Sequence, residues 1–143
     1  MQLSTKGRYA VMAMTDLAGR PGDHATPVAE IAARQQISQA YLEQLFARLK
    51  RRGLVIGRRG PGGGYRLARS AAETSVADVV LAVDEPLRAI RCNGGHIGCM
   101  KDGVRCLTHD LWEDLGQRIE DYLASVSLAD VLSGRLGANR KAA

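Results

Sequence analysis

The chain has 143 residues, with 20 Lys and Arg against 15 Asp and Glu and a formal net charge of +5. That length suits a real hydrophobic core, and with only 4% aromatic residues the core must rest on Leu, Val, Ile, Ala and Met. No apolar run is long enough to span a bilayer and the first residues lack an apolar signal core, so a cytoplasmic protein is expected; three cysteines, an odd number, argue against a secreted disulfide scaffold.

Ser4 is a candidate cap for a first helix, in which Tyr9, Ala10, Ala13, Met14 and Leu17 recur at helical spacing. Gly19 to His24 reads as a turn. Thr26-Pro27 then predicts a helix start, with the hydroxyl as N-cap and proline at the first helical position. The helix it opens, Val28 to Gln35, turns Val28, Ile31 and Ala32 inward. Gln36-Ile37 make a tight turn, and Ser38 caps a third helix to Arg52 with Tyr41, Leu42, Leu45 and Leu49 as its apolar stripe. Gly53 ends it. Leu54-Val55-Ile56 and Tyr65-Arg66-Leu67 read as two strands of a hairpin turning at Gly60-Pro61-Gly62-Gly63-Gly64.

Ser75 caps a further helix carrying Val76, Val79, Val80 and Val83. A cysteine-bearing loop follows. Thr108 is the expected cap of a longer helix to Ser125, with Leu111, Trp112, Leu115, Ile119, Tyr122 and Leu123 along it. Ser127 opens a last short helix, and the tail beyond Gly134 is small, basic and expected to be flexible. The resulting fold class is mostly α with a small β-hairpin wing: a winged helix–turn–helix plus a long dimerisation helix. The expected division is 1–85 for the DNA-binding domain, 86–107 for the loop, 108–133 for the dimerisation and terminal helices, and 134–143 for the tail.

Charge follows this division. From Gln44 to Ala72 there is no acidic residue, while Arg48, Lys50, Arg51, Arg52, Arg58, Arg59, Arg66 and Arg69 all fall there. Two short helices, a tight turn and a basic hairpin form the layout of a winged helix–turn–helix. Its second helix fits the major groove, where Ser38, Gln39, Ala40, Tyr41, Glu43 and Gln44 near its start can reach base edges; glutamine suits adenine and a glutamate can accept from cytosine N4. Arg48 lies further along the same helix. Arg58 and Arg59, with Gly60, Pro61 and Gly62 at the hairpin tip, suit a narrow minor groove and close approach to the backbone. A double-stranded DNA operator is the expected partner and no membrane is.

Every cysteine lies between Arg91 and His109. Cys92, Cys99 and Cys106 are separated by six residues each, and two residues separate Cys106 from His109. Structural zinc sites usually pair ligands two to four residues apart, so the wider gaps favour a larger group such as an iron–sulfur cluster, with one imidazole replacing a thiolate. Zinc and unligated thiols remain alternatives, as does His96 for the nitrogen ligand. A carboxylate pair for acid–base work and a cofactor-binding signature are both missing from the sequence, which argues against an enzyme or electron carrier.

Several stretches together resemble the IscR family of bacterial iron–sulfur cluster assembly regulators: Leu3-Ser4-Thr5-Lys6-Gly7-Arg8-Tyr9-Ala10-Val11, Tyr41-Leu42-Glu43-Gln44-Leu45-Phe46, Arg59-Gly60-Pro61-Gly62-Gly63-Gly64-Tyr65, Val83-Asp84-Glu85 and Arg105-Cys106-Leu107-Thr108-His109. The resemblance implies a homodimeric repressor of cluster-assembly genes. It implies a [2Fe–2S] cluster on Cys92, Cys99, Cys106 and His109, and a role for Glu43 in choosing between operators. A nitric-oxide or redox-sensing repressor of the same fold is the alternative. The gaps between the cysteines here are one residue longer than the family pattern used for comparison.

Overall fold

The computed structural model describes residues 4–20, 22, 24–83, 85, 87 and 98–136. Cys92, His96 and most of the tail lie outside them. The described elements run α1 (Thr5–Ala18), α2 (Val28–Gln35), α3 (Gln39–Arg51), β1 (Val55–Arg58), β2 (Gly64–Leu67), a short 3-10 turn (Ala71–Glu73), α4 (Val76–Ala82), α5 (His109–Ser125) and α6 (Leu128–Ser133). The architecture is the expected one: mostly helical, with one two-stranded antiparallel hairpin.

One core joins α1, α2, α3, α4 and β1. Ala10, Ala13, Met14, Ile31, Leu42, Phe46, Leu49 and Val79 are fully buried in it, and so is Leu128 of α6, which brings the last helix back onto the first. Phe46 stacks on Tyr65 of the hairpin, with ring centroids 4.8 Å apart. A smaller cluster of Val76, Ala77, Val80, Leu87 and Val126 sits under α5 and takes in Leu123 and Val131.

The α2–α3 corner is made by Gln36, which adopts a left-handed conformation at φ 55°, while the amide of Ile37 reaches back to the Ala32 carbonyl. Ser38 caps α3, accepting a hydrogen bond from the Tyr41 amide. The corner is fastened to α1 by Asp16, which is buried. Arg34 donates to both of its oxygens, at 2.7 to 3.2 Å, and Gln35 donates at 2.7 Å. Burial works to raise the Asp16 carboxyl. The hydrogen bonds from Arg34 and Gln35, with the charges of Arg34 and Arg20, outweigh it and hold the carboxyl below its ordinary value.

A second buried carboxylate, Glu85, serves α1. It accepts hydrogen bonds from the backbone amides of Ser4 at 2.5 Å and Gly7 at 2.6 Å, which are otherwise orphaned at a helix start. Gly7 leaves the room for this: a Cβ there would stand 2.1 Å from the Glu85 carboxylate oxygen. Burial pushes this carboxyl up, but the Ser4 and Gly7 hydrogen bonds and the Lys6 charge push it down further, so it too is held below its ordinary value.

Three expected caps are not side-chain caps. Thr26 is not the N-cap of α2; Pro27 occupies that position, and Thr26 is buried in a two-way backbone bridge with Tyr65, at 2.8 and 2.9 Å. Ser4 and Thr108 precede α1 and α5 without a side-chain capping bond. Ser4 offers its amide to Glu85 instead, and the Thr108 hydroxyl accepts from the Trp112 indole at 3.1 Å. Ser75 and Ser127, in contrast, form full capping boxes with Asp78 and Asp130. These two serines also pair across an antiparallel bridge that sets the starts of α4 and α6 side by side.

Candidate nucleic-acid interface and metal centre

The surface expected to meet DNA has two parts. At the start of α3, Ser38, Gln39, Ala40, Glu43 and Gln44 are all exposed, while Leu42, Leu45 and Phe46 on the opposite side are buried. This is the geometry a recognition helix needs: one face anchored and the first turns free for a groove. Glu43 accepts a hydrogen bond from Gln39 one turn earlier, at 3.1 Å, so the carboxylate of the basic face is already oriented by a neighbour. Tyr41 is half-buried, its ring meeting Tyr9 edge to face with centroids 6.1 Å apart.

Arg48, expected on the DNA-facing surface, is turned partly inward. It is half-buried and donates to the Val83 carbonyl at 3.1 Å, tying α3 to the end of α4. Lys50 and Arg51 beyond it are exposed.

The hairpin pairs Val55 with Leu67 and Arg58 with Gly64. Arg58, Arg59, Gly60, Pro61 and Gly62 are exposed at its tip. Gly64 is what lets the hairpin lie against α2: its φ is 138°, and a Cβ there would stand 2.1 Å from the Thr26 carbonyl oxygen. The Thr26–Tyr65 bridge thus couples the wing to the segment leading into α2. Wing and recognition helix form one block, with no sequence signal for the bridge beyond the glycine itself.

The cysteine turn is a separate construction. Gly98 donates to the Gly103 carbonyl at 3.1 Å and Met100 to Val104 at 3.0 Å, closing a tight loop that presents Cys99. The Cys106 amide donates to Cys99 Sγ at 3.0 Å. His109, first residue of α5, is buried, and its Nδ1 lies 3.5 Å from Cys99 Sγ. Cys106 is half-exposed, with its sulfur 3.7 Å from the Thr108 hydroxyl. Of the expected ligands among the described residues, Cys99 and His109 meet, while the Cys106 sulfur lies against the Thr108 hydroxyl; Cys92 and the rival His96 lie outside the described residues.

This donor set fits a soft metal centre. Metal–sulfur bonds of about 2.3 Å and metal–nitrogen bonds of about 2.0–2.1 Å, set tetrahedrally, put the two donor atoms roughly 3.6 Å apart. The Cys99–His109 separation matches that edge. Glu113 stands on the Nε2 side of the ring, and Asp110 is close by, with ligand-capable atoms of the two carboxylates and His109 all within 4.8 Å of one another. Both carboxylates are exposed, and Asp110 is drawn to Arg105 at 3.7 Å.

Among the described residues, no helix is long and apolar enough to cross a membrane. Comparison with known proteins places the whole assembly. The family model for the Rrf2 iron-dependent transcriptional regulators matches residues 3–134. The HTH-type transcriptional regulator IscR of Photorhabdus laumondii is 51% identical over 135 residues, which are 94% of this chain and 81% of that protein. The IscR of Serratia proteamaculans is 50% identical over the same share of both. Among solved structures, T. potens IscR superposes with a TM-score of 0.76 at 38% identity, over 96% of this chain and 90% of that one. CymR, the global cysteine regulator of B. subtilis, superposes with a TM-score of 0.78 at 29% identity, over 93% and 97%. The chain belongs to the Rrf2 family of iron-dependent transcriptional regulators, and it is a DNA-binding winged helix–turn–helix regulator rather than an enzyme.

Proposed function

We propose that this regulator works as a homodimer holding a [2Fe–2S] cluster on Cys92, Cys99, Cys106 and His109, and that it represses iron–sulfur cluster assembly genes. The observation that carries the reading is the approach of His109 Nδ1 to Cys99 Sγ at 3.5 Å, at the first residue of α5. When bound, such a cluster supplies a redox-sensitive and labile link between the cysteine turn and α5. The chain's own residues do the rest. Gly98 and Gly103 shape the turn, the Cys106 amide donates to the Cys99 sulfur, and His109 ties the centre to the helix. The IscR relatives support the same function.

The dimer rests on α5. Leu111, Trp112 and Tyr122 are 60%, 42% and 54% exposed, a run of large apolar side chains that one chain leaves uncovered. A second copy covers them, with Leu115, Ile119 and Leu123 along the same seam. Two recognition helices then sit about one DNA turn apart on a roughly palindromic operator. Glu43 and Gln39 discriminate between operators, and Arg58 and Arg59 grip the flanking groove.

Anaerobic purification decides the matter, with a visible spectrum and analysis of iron, sulfide and zinc, followed by operator binding with and without the bound group. Iron and sulfide in equal amounts, lost in Cys99→Ser and His109→Ala, are expected. Zinc without sulfide would replace the sensor by a structural staple. Arg59→Ala is expected to weaken operator binding in both forms and to lower the salt dependence by about one charge.

A further inference from the structure

We propose that Glu113 is the positioning residue of the metal centre: from one turn along α5, its carboxylate holds the His109 imidazole with Nδ1 towards Cys99 and strengthens it as a ligand. This rests on the reading of His109 and the cysteines as ligands.

His109 is buried, its side chain only 4% exposed, so both ring nitrogens must be accounted for. Nδ1 faces Cys99 Sγ. Nε2 faces Glu113 Oε2 at 3.7 Å. An imidazole that gives Nδ1 to a metal carries its proton on Nε2, and that N–H needs an acceptor. Glu113 stands where one is required. The distance is slightly long for a hydrogen bond. Glu113 is 55% exposed, and its side chain has the rotamer freedom to close the gap.

The helix itself aims it. Side chains in a helix lean towards the N-terminus, so a residue at i+4 covers the turn of residue i. Asp110 belongs to the same turn as His109 but is 90% exposed and pairs with Arg105, so its charge is spent elsewhere. A carboxylate behind a metal-bound imidazole fixes the ring's tautomer and orientation and raises its basicity, and removing one typically costs 10–100-fold in metal affinity.

The full chain is compared with Glu113→Gln, Glu113→Ala and Asp110→Asn by two measurements. Reduced apo protein is titrated with Co2+, read by the visible absorption of thiolate-bound cobalt. Anaerobically purified protein is mixed with a chelator, read by the rate at which its visible bands disappear. Glu113→Gln and Glu113→Ala are expected to weaken Co2+ binding by about 10–100-fold and to speed band loss by a similar factor, with helix content unchanged by circular dichroism. Asp110→Asn is expected to stay within about twofold of wild type, as an exposed charge should. Unchanged affinity and rate in the Glu113 variants overturn the proposal, and so does an equal loss in Asp110→Asn, which would reduce the effect to surface charge. Wild-type protein that carries no iron and sulfide and binds no Co2+ removes the ligand reading and this proposal together. Wild-type protein that binds both, alongside Glu113 variants that bind them as well, removes this proposal alone.

Discussion

Helices α3 and α5 are both amphipathic, of 13 and 17 residues, yet they treat their apolar side chains in opposite ways. Helix α3 buries Leu42, Leu45, Phe46 and Leu49 almost completely within its own chain. Helix α5 buries only His109 and Gly116 and leaves Leu111, Trp112 and Tyr122 in the open. The contrast separates two ways of specifying a helix. The DNA reader is finished by one chain, held by a closed core, the Asp16–Arg34 clamp and the wing. Helix α5 rests on its own chain through its middle, where Gly116 is buried and Leu115 and Ile119 are half-buried, while Leu111, Trp112 and Tyr122 towards its ends are left for a partner.

The largest test of this contrast is Phe46→Ala. It removes a fully buried ring that stacks on Tyr65, and should cost about 3–5 kcal/mol in unfolding experiments and abolish operator binding through loss of the fold. A cost under about 1 kcal/mol would mean that the reader is not held by this core.

An intermediate effect is expected at Glu85→Ala, which leaves the Ser4 and Gly7 amides without their acceptor and should cost about 1–3 kcal/mol near neutral pH. Its pH dependence has a definite sign. The folded carboxyl lies below its ordinary value of 4.5, so its contribution is complete above that value and is lost as pH falls through the lowered one. Thermal melts taken down through this range should show wild type and variant converging; a constant gap would remove the carboxylate charge from the account.

The smallest effect on folding is expected at Leu111→Ser, where an exposed side chain should change the stability of a single chain by no more than about 0.5 kcal/mol. Sedimentation should nonetheless show weaker self-association. A variant that associates as tightly as wild type would take Leu111 out of the interface.

Short-range signals in the sequence were legible and long-range ones were not. Ser38, Ser75 and Ser127 cap the helices they precede, because a serine hydroxyl needs only the amide three residues on. Thr26, Ser4 and Thr108 carry the same local signal and do otherwise: the Thr26 backbone bridges Tyr65, the Ser4 amide goes to Glu85, and the Thr108 hydroxyl is taken by the Trp112 indole one turn on. The second of these ties spans 81 residues, beyond any local pattern. Arg48 likewise reads as part of a basic face, and only the position of Val83 shows that it reaches inward. At the metal centre the spacing marked Cys99, Cys106 and His109 as candidates, but the approach of Cys99 to His109 depends on the turn closed by Gly98 and Gly103. Glu113 carries no local mark that separates it from the other charges of α5; only its approach to the His109 ring does.

The bridge between Ser75 and Ser127 has a mechanical consequence. It clamps the chain just beyond the end of α5 to the start of α4, while His109 occupies the opposite end, about 26 Å away at the helical rise. A helix supported along its length carries a shift at the His109 end to the seam where α4 and α6 begin, beside the core that holds α3.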